Sequence, residues 1–363
     1  MTNTFNIEDF GAISDGKTDC TKAIQKTIDA AALNGGVVLV PSASYLTGKI
    51  ILKPHVTIKG DVSWSYRNDG GSTLILNNEN DKCLIDASGA YGATISSLCL
   101  NGKWLGKAHG VQINYEKGNP RIEEDTLTID GCKISHFNKC GIYLNHVWCF
   151  SIRHSMISDN IESGLYIKGW DGFILDNWFS GNREYGVYSD EECSSITMTS
   201  NRVEWNFLAG FRLMNPININ ITGNYFDASG GPALDLANPK GKRAINVTVT
   251  GNIFHRSGMK ALSQNKDVVS AHIDMERCMN VIVTSNVFYY GIDDNGNAQF
   301  LCPDIGIQIK KLKNCVIKDN ALDKCATKAV LIDNGMHEGG NAIELNGTYQ
   351  NHLDEFWYPF FKD

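Results

Sequence analysis

Short runs of alternating apolar and polar residues recur along most of this chain. Ile174-Leu175-Asp176-Asn177-Trp178-Phe179 leads into Gly186-Val187-Tyr188, and Ile221-Thr222-Gly223-Asn224-Tyr225-Phe226 leads into Ala233-Leu234-Asp235-Leu236. The alternation has the two-residue period of β-strands. An asparagine marks the same place in successive units: Asn177, Asn201, Asn224, Asn252, Asn286 and Asn320 recur at intervals of 24, 23, 28, 34 and 34 residues. A period in this range signals an array of one supersecondary unit. Each unit holds three strands too short to bury a face alone, but stacked coil on coil they bury a continuous core. The pattern therefore predicts an all-β fold, a parallel β-helix in which one chain winds as a solenoid of about ten coils. Ile196, Val203, Phe211 and Leu213 fall on inward positions. The ladder asparagines are expected to stack in one line.

The opening of the chain differs. Asp19 precedes an apolar stripe of Ile24, Ile28 and Ala31, and Gly35-Gly36 follows it. This predicts a helix over Thr21–Leu33, with Asp19 as N-cap and the glycines as the stop. An open solenoid end exposes core and unpaired strand edges, so the helix is expected to cover it. Phe10-Gly11-Ala12-Ile13-Ser14-Asp15-Gly16-Lys17-Thr18-Asp19, this helix, Gly35–Pro41 and the asparagine ladder together resemble the pectin-lyase-like right-handed β-helix superfamily, which includes polygalacturonases and phage tailspikes. The resemblance implies a right-handed solenoid with a capping α-helix. It also places the asparagines at the tight turn between the second and third strand of each coil. We read one domain, 1–363: a cap and first coils over 1–60, repeat coils over 81–335 and a tail over 336–363.

Composition narrows the function classes. The formal net charge of −7, with charges scattered, argues against nucleic acid as a partner. There is no apolar run of membrane-spanning length, and Met1-Thr2-Asn3-Thr4 lacks the character of a signal peptide. The expected location is the cytoplasm, or outside the cell if a leader has been removed. The eleven cysteines are an odd number without Cys-x-x-Cys spacing, which fits buried free thiols. The sequons at Asn220, Asn246 and Asn346 read as chance matches.

The register also predicts what points outward. One column on the first-strand face reads Tyr143, Tyr166, Tyr188, Arg212, Asp235, Asp274, Gln308. A parallel column reads Lys168, Asp190, Met214, Ala237, Glu276, Lys310. Coils stack about 4.8 Å apart, so Arg212, Asp235, Asp274 and Glu276 form one polar cluster beside the tyrosines. On the third-strand face Glu204, Asp227 and His255 form a second titratable stack, next to Trp205 in the following turn. The turns Gly258–Ala271 and Tyr290–Ile305 are long enough to wall a cleft. Stacked carboxylates repel, and one is pushed to a higher pKa. Such a split suits acid/base work on a glycosidic bond. Asp235 and Asp274 are the expected catalytic pair and Glu204 with Asp227 the rival pair. Arg212, Tyr188, Tyr166, Glu276, Trp205 and His255 are expected to bind substrate.

The superfamily resemblance implies carbohydrate chemistry, yet the polygalacturonase Asn-Thr-Asp-Gly signature is missing. Ala108-His109-Gly110-Val111 and Gly306-Ile307-Gln308-Ile309-Lys310 echo that family's Gly-His-Gly and Arg-Ile-Lys, with Gln308 replacing an arginine that binds a uronate there. Three functions follow. The first is a glycoside hydrolase or related glycosyl-bond-cleaving transferase that needs no cofactor or metal. The second is a polysaccharide lyase, in which Arg212 or a tyrosine abstracts a proton and aspartates bind Ca²⁺. The third is a non-catalytic spike or adhesin. In each case the partner is an oligo- or polysaccharide. The tail, His352–Phe361, holds five aromatics in six positions from Phe356. They plug the solenoid end or pack on another chain, giving a homo-oligomer such as a trimer.

Overall fold

The computed structural model describes residues 3–61, 65–118, 120, 122–263, 267–291 and 302–345. Among these the chain winds as a solenoid with three faces per coil. The third face is a ten-stranded parallel sheet running from Ser44–Thr47 to Val287–Tyr289, in agreement with the coil count the repeat implies. First and second faces merge because single strands bend through both. Ile142–Arg153, Leu165–Leu175, Val187–Thr199 and Phe211–Thr222 each do so. The bends use left-handed backbone at Cys149, Asp171, Ser195 and Asn218, a region small polar residues tolerate.

The tight turn after the second face explains the ladder. Asp176, Ser200, Gly223, Gly251, Ser285 and Asp319 have positive φ, each one residue before a ladder asparagine. This turn leaves backbone groups without strand partners. Each asparagine satisfies them: Asn201 donates to the Ile174 carbonyl at 2.9 Å, and its Oδ1 accepts from the backbone and side-chain N–H groups of Asn177 at 3.0 and 3.1 Å. The chain of amides runs unbroken from Asn177 to Asn320. Ser155 extends it one coil earlier, donating its N–H to Asn177. A second buried ladder, Asn160–Asn182–Asn206, lines the turn after the third face.

Inward side chains stack in the same way. Phe226, Phe254 and Phe288 lie face to face, with centroids 5.0 and 4.7 Å apart. Each buried ring contributes roughly 2–3 kcal/mol by burial alone. All eleven cysteines are free and all but Cys149 are buried, filling small inward sites as weakly polar hydrophobes.

The N-terminal helix spans Thr21–Ala32 and packs Ile24, Ile28 and Ala31 on the core. Its N-cap is Cys20, not Asp19; Asp19 acts one residue earlier, with Oδ1 accepting from the Thr21 N–H at 3.0 Å. The helix ends on Leu33 before the glycines are reached, and Gly35 then takes φ +72°. The aromatic tail from His352 lies outside the described residues.

Candidate functional site

The outward column of the first face is continuous. Tyr143, Tyr166, Tyr188, Arg212, Asp235, Asp274 and Gln308 are successive cross-strand partners. Tyr143 stacks on Tyr166 at 4.7 Å, and His109 extends the aromatic row from below at 4.5 Å. Tyr185, one residue before Gly186, stacks on Tyr188 at 4.7 Å. The row ends at an Arg212–Asp235 ion pair. The parallel column is not continuous. Register shifts between Tyr166 and Gly169 and between Ser189 and Glu192 displace Asp190 from Lys168. Lys168 pairs with Glu191 at 2.5 Å, while Asp190 accepts a hydrogen bond from the Tyr166 hydroxyl at 2.8 Å. Further along, the column regains its register at the Glu276–Lys310 step.

Asp235 and Asp274 sit at the floor of a cleft of about 440 Å³. Tyr185 and Arg212 line one side, Val268 and Val269 another. The valines come from the long turn after Gly258, so that turn walls the cleft as its length suggests. Much of the second turn, residues 292–301, lies outside the described residues. Asp235 and Asp274 are 7% and 8% exposed, and this burial governs their titration. It raises the Asp235 pKa, while Arg212 and the Ala237 amide, 2.9 Å from Oδ1, pull it back. Burial, with the adjacent Asp235 charge, pushes Asp274 up to about 7; the Gln308 amide at 3.2 Å opposes this only in part. Glu276 differs: partial burial pushes it up, but Lys311 and Lys310, at 3.1 and 3.3 Å, hold it below the usual range. The two carboxyls thus differ: Asp235 stays above the usual aspartate range but has the Arg212 guanidinium to favour its charged form, whereas Asp274 has no such partner and is pushed to about 7.

The third-face residues stand elsewhere. Glu204, Trp205 and Asp227 line a different cleft, with Tyr66, Arg67, Arg202 and Arg256, and share no lining residue with the first. Glu204 is buried and accepts from Arg202 Nε at 2.6 Å. Asp227 is gripped by Arg256 through both oxygens, at 2.8 and 2.7 Å, with His255 Nδ1 3.3 Å away. Although burial pushes Asp227 up, these partners overcome it and hold the carboxyl at about 2. A carboxylate so held exchanges no proton near neutrality. Its stabilising effect is present above the ordinary aspartate pKa and is lost as pH falls through about 2. Asp227→Ala removes the two-oxygen ion pair that Arg256 makes there, and losing buried hydrogen bonds between charged groups costs roughly 1.5–3 kcal/mol. Urea denaturation is expected to register that loss. Turnover below the new melting temperature should stay within about threefold of wild type.

Comparisons with known proteins agree with the geometry. A family model described as a right-handed β-helix region matches residues 109–270. The mannuronan C5-epimerase AlgE2 of Azotobacter vinelandii is 30% identical over 213 residues, covering 54% of this chain but 20% of the epimerase's length. Among solved structures, the A-module of the A. vinelandii mannuronan C-5 epimerase AlgE6 superposes with a TM-score of 0.65 at 17% identity, covering 94% of this chain and 99% of that one. The enzymatically active domain of tailspike protein 2 from bacteriophage CBA120 gives a TM-score of 0.70 at 13% identity, covering 88% and 48%. Those structural likenesses are likenesses of fold. With the coil register and the ladders, they show that the chain folds as a right-handed parallel β-helix.

Proposed function

We propose that this protein is a carbohydrate-active enzyme that binds a poly- or oligosaccharide along its first face and cleaves a glycosidic bond between Asp235 and Asp274. One observation carries the reading: two buried carboxyls on adjacent coils, one ion-paired to Arg212 and one titrating near 7, line a cleft with Tyr185, which stacks on the end of the tyrosine row. Asp274, protonated, donates its proton to the leaving oxygen. Asp235, ionised, faces the developing positive charge on the sugar or activates a water. Tyr188 and Tyr185 offer flat apolar faces to the C–H faces of sugar rings.

A general acid must be protonated to work. The expected kcat/KM therefore falls as pH rises through about 7, and falls again in acid as Asp235, which must be ionised, takes up a proton. A profile that rises through 7 contradicts the assignment.

A second reading, lyase or epimerase action on a uronate polymer, is favoured by the 30%-identical mannuronan C5-epimerase. Ca²⁺ in support of such a reaction needs six to eight oxygen ligands. In this cleft Arg212 occupies Asp235 and two lysines occupy Glu276, a donor set that does not fit. Incubation with a panel of oligosaccharides separates the readings. Reducing ends without absorbance near 235 nm support the first. An unsaturated product, or uronate epimerisation seen by proton NMR, overturns it in favour of the second.

A further inference from the structure

The charges around the first-face groove bear on the class of sugar it accepts. We infer that the glycan is uncharged, and that the groove selects against uronate and sulfated chains although the matched epimerases act on mannuronan. This rests on the first-face reading and narrows it.

The cleft is lined by one cationic side chain, Arg212, and by four carboxyls, Asp235, Asp267, Asp274 and Glu276. Arg212 is already engaged by Asp235. The lysines beside Glu276 face its carboxylate at 3.1 and 3.3 Å. The pattern continues along the aromatic row. Lys168 is held by Glu191 and Lys139 by Glu162. Two further carboxylates border the tyrosines. Asp190 accepts the Tyr166 hydroxyl, and Glu184 accepts from Ser163 Oγ at 3.3 Å. Burial, and then the charge of Glu162, push the Glu184 pKa upward.

A polyuronate presents one carboxylate per ring, at about the spacing of the coils. Each would approach a carboxyl of the protein or compete with one for a cation. A like charge at contact distance weakens binding by roughly five- to tenfold per pair even in a watery groove. Recognition of anionic chains works through complementary, available cations, and here the cations are compensated internally. Neutral rings meet no such penalty. They stack on the aromatics, and their hydroxyls find acceptors in Asp190, Glu184 and Asp235. From Tyr143 to Asp274 the column spans about 25 Å at the usual coil spacing, room for about four or five rings.

The test is calorimetric titration of the whole chain with two sets of oligosaccharides of about that length. One set is neutral (gluco-, manno-, galacto-, xylo- and fructo-series) and the other anionic (mannuronate, galacturonate and sulfated series). At least one neutral series is expected to bind, with an affinity unchanged within about twofold from low to physiological salt. Tyr188→Ala should weaken it roughly tenfold through loss of one stacking face. Tighter binding of any anionic series than of every neutral one overturns the inference, as does no binding across all neutral series. Turnover measured on the same ligands keeps the two claims apart. Anionic chains that are bound and processed with dependence on Asp274 sink the charge inference and leave the first-face reading standing. Neutral chains that bind at Tyr188 but are never cleaved do the reverse.

Discussion

Asp274→Asn is expected to lower kcat by about two to four orders of magnitude, the range for loss of a general acid, and at the same time to stabilise the fold above neutral pH. Both effects have one cause. Asp274 is buried beside an ionised Asp235, so its folded pKa of about 7 lies far above the ordinary aspartate value. A group raised in this way contributes stability below its unfolded pKa and loses that contribution as pH rises through its folded pKa. The neutral asparagine escapes the loss. Wild type and variant should melt together near pH 4. The variant should then gain with rising pH, reaching on the order of 3–4 kcal/mol above pH 7 as an upper bound. Denaturation at pH 4 and pH 8 provides the check. Equal stability at both pH values, together with full activity, removes Asp274 from the site.

The largest stability effect should come from the ladder. Asn201→Ala deletes both hydrogen bonds to Asn177, the bond to Asn224 Oδ1 and the bond to the Ile174 carbonyl. The Asn177 N–H is then buried without a partner, and the Ile174 carbonyl loses its side-chain donor. An orphaned buried group costs about 1–3 kcal/mol and each further lost hydrogen bond about 1 kcal/mol, so the expected total is roughly 3–5 kcal/mol, read as a lower urea midpoint. The exposed amide row gives the control. Asn246 donates to Asn218 at 2.9 Å at the surface, where Asn246→Gly, which suits the left-handed backbone there, should cost under about 1 kcal/mol because water replaces the lost partner. A similar small cost at Asn201 means that the buried ladder does not hold the coils.

Much of this was legible because the period ties distant residues together. Once Asn201 and Asn224 are aligned, the offset between Arg212 and Asp235 follows, and two-residue alternation sets which way each points. The same reading breaks where a coil carries extra residues. The shift between Ser189 and Glu192 moves Asp190 out of its column, and a bulge of this kind leaves no clear mark in composition. The second ladder is written in the sequence as well: Asn182 and Asn206 follow Asn177 and Asn201 by five residues each. What periodicity does not carry is contact made by loops. Tyr66 reaches across 114 residues to Ser180, packs edge-on against Trp178 at 6.0 Å and borders Glu204. With Arg202 and Arg256 it turns the third-face carboxylates into a braced cluster. The grip of Arg256 on Asp227 was equally hidden, since Arg256 lies in a turn whose direction the strand register does not set. The separated protonation of Asp235 and Asp274 also needed the structure, because it depends on the wall at Val268 and on the depth of burial.

The central claim is that chemistry occurs on the first face and that the third-face carboxylates are structural. The most direct test is a side-by-side measurement of kcat/KM for Asp274→Asn and Glu204→Gln, at pH 6, on whichever oligosaccharide the wild type turns over. The account predicts a loss of at least about a hundredfold for Asp274→Asn and a value within about threefold of wild type for Glu204→Gln, whose carboxylate is committed to Arg202. The opposite order, with Glu204→Gln inactive and Asp274→Asn near wild type, would contradict it.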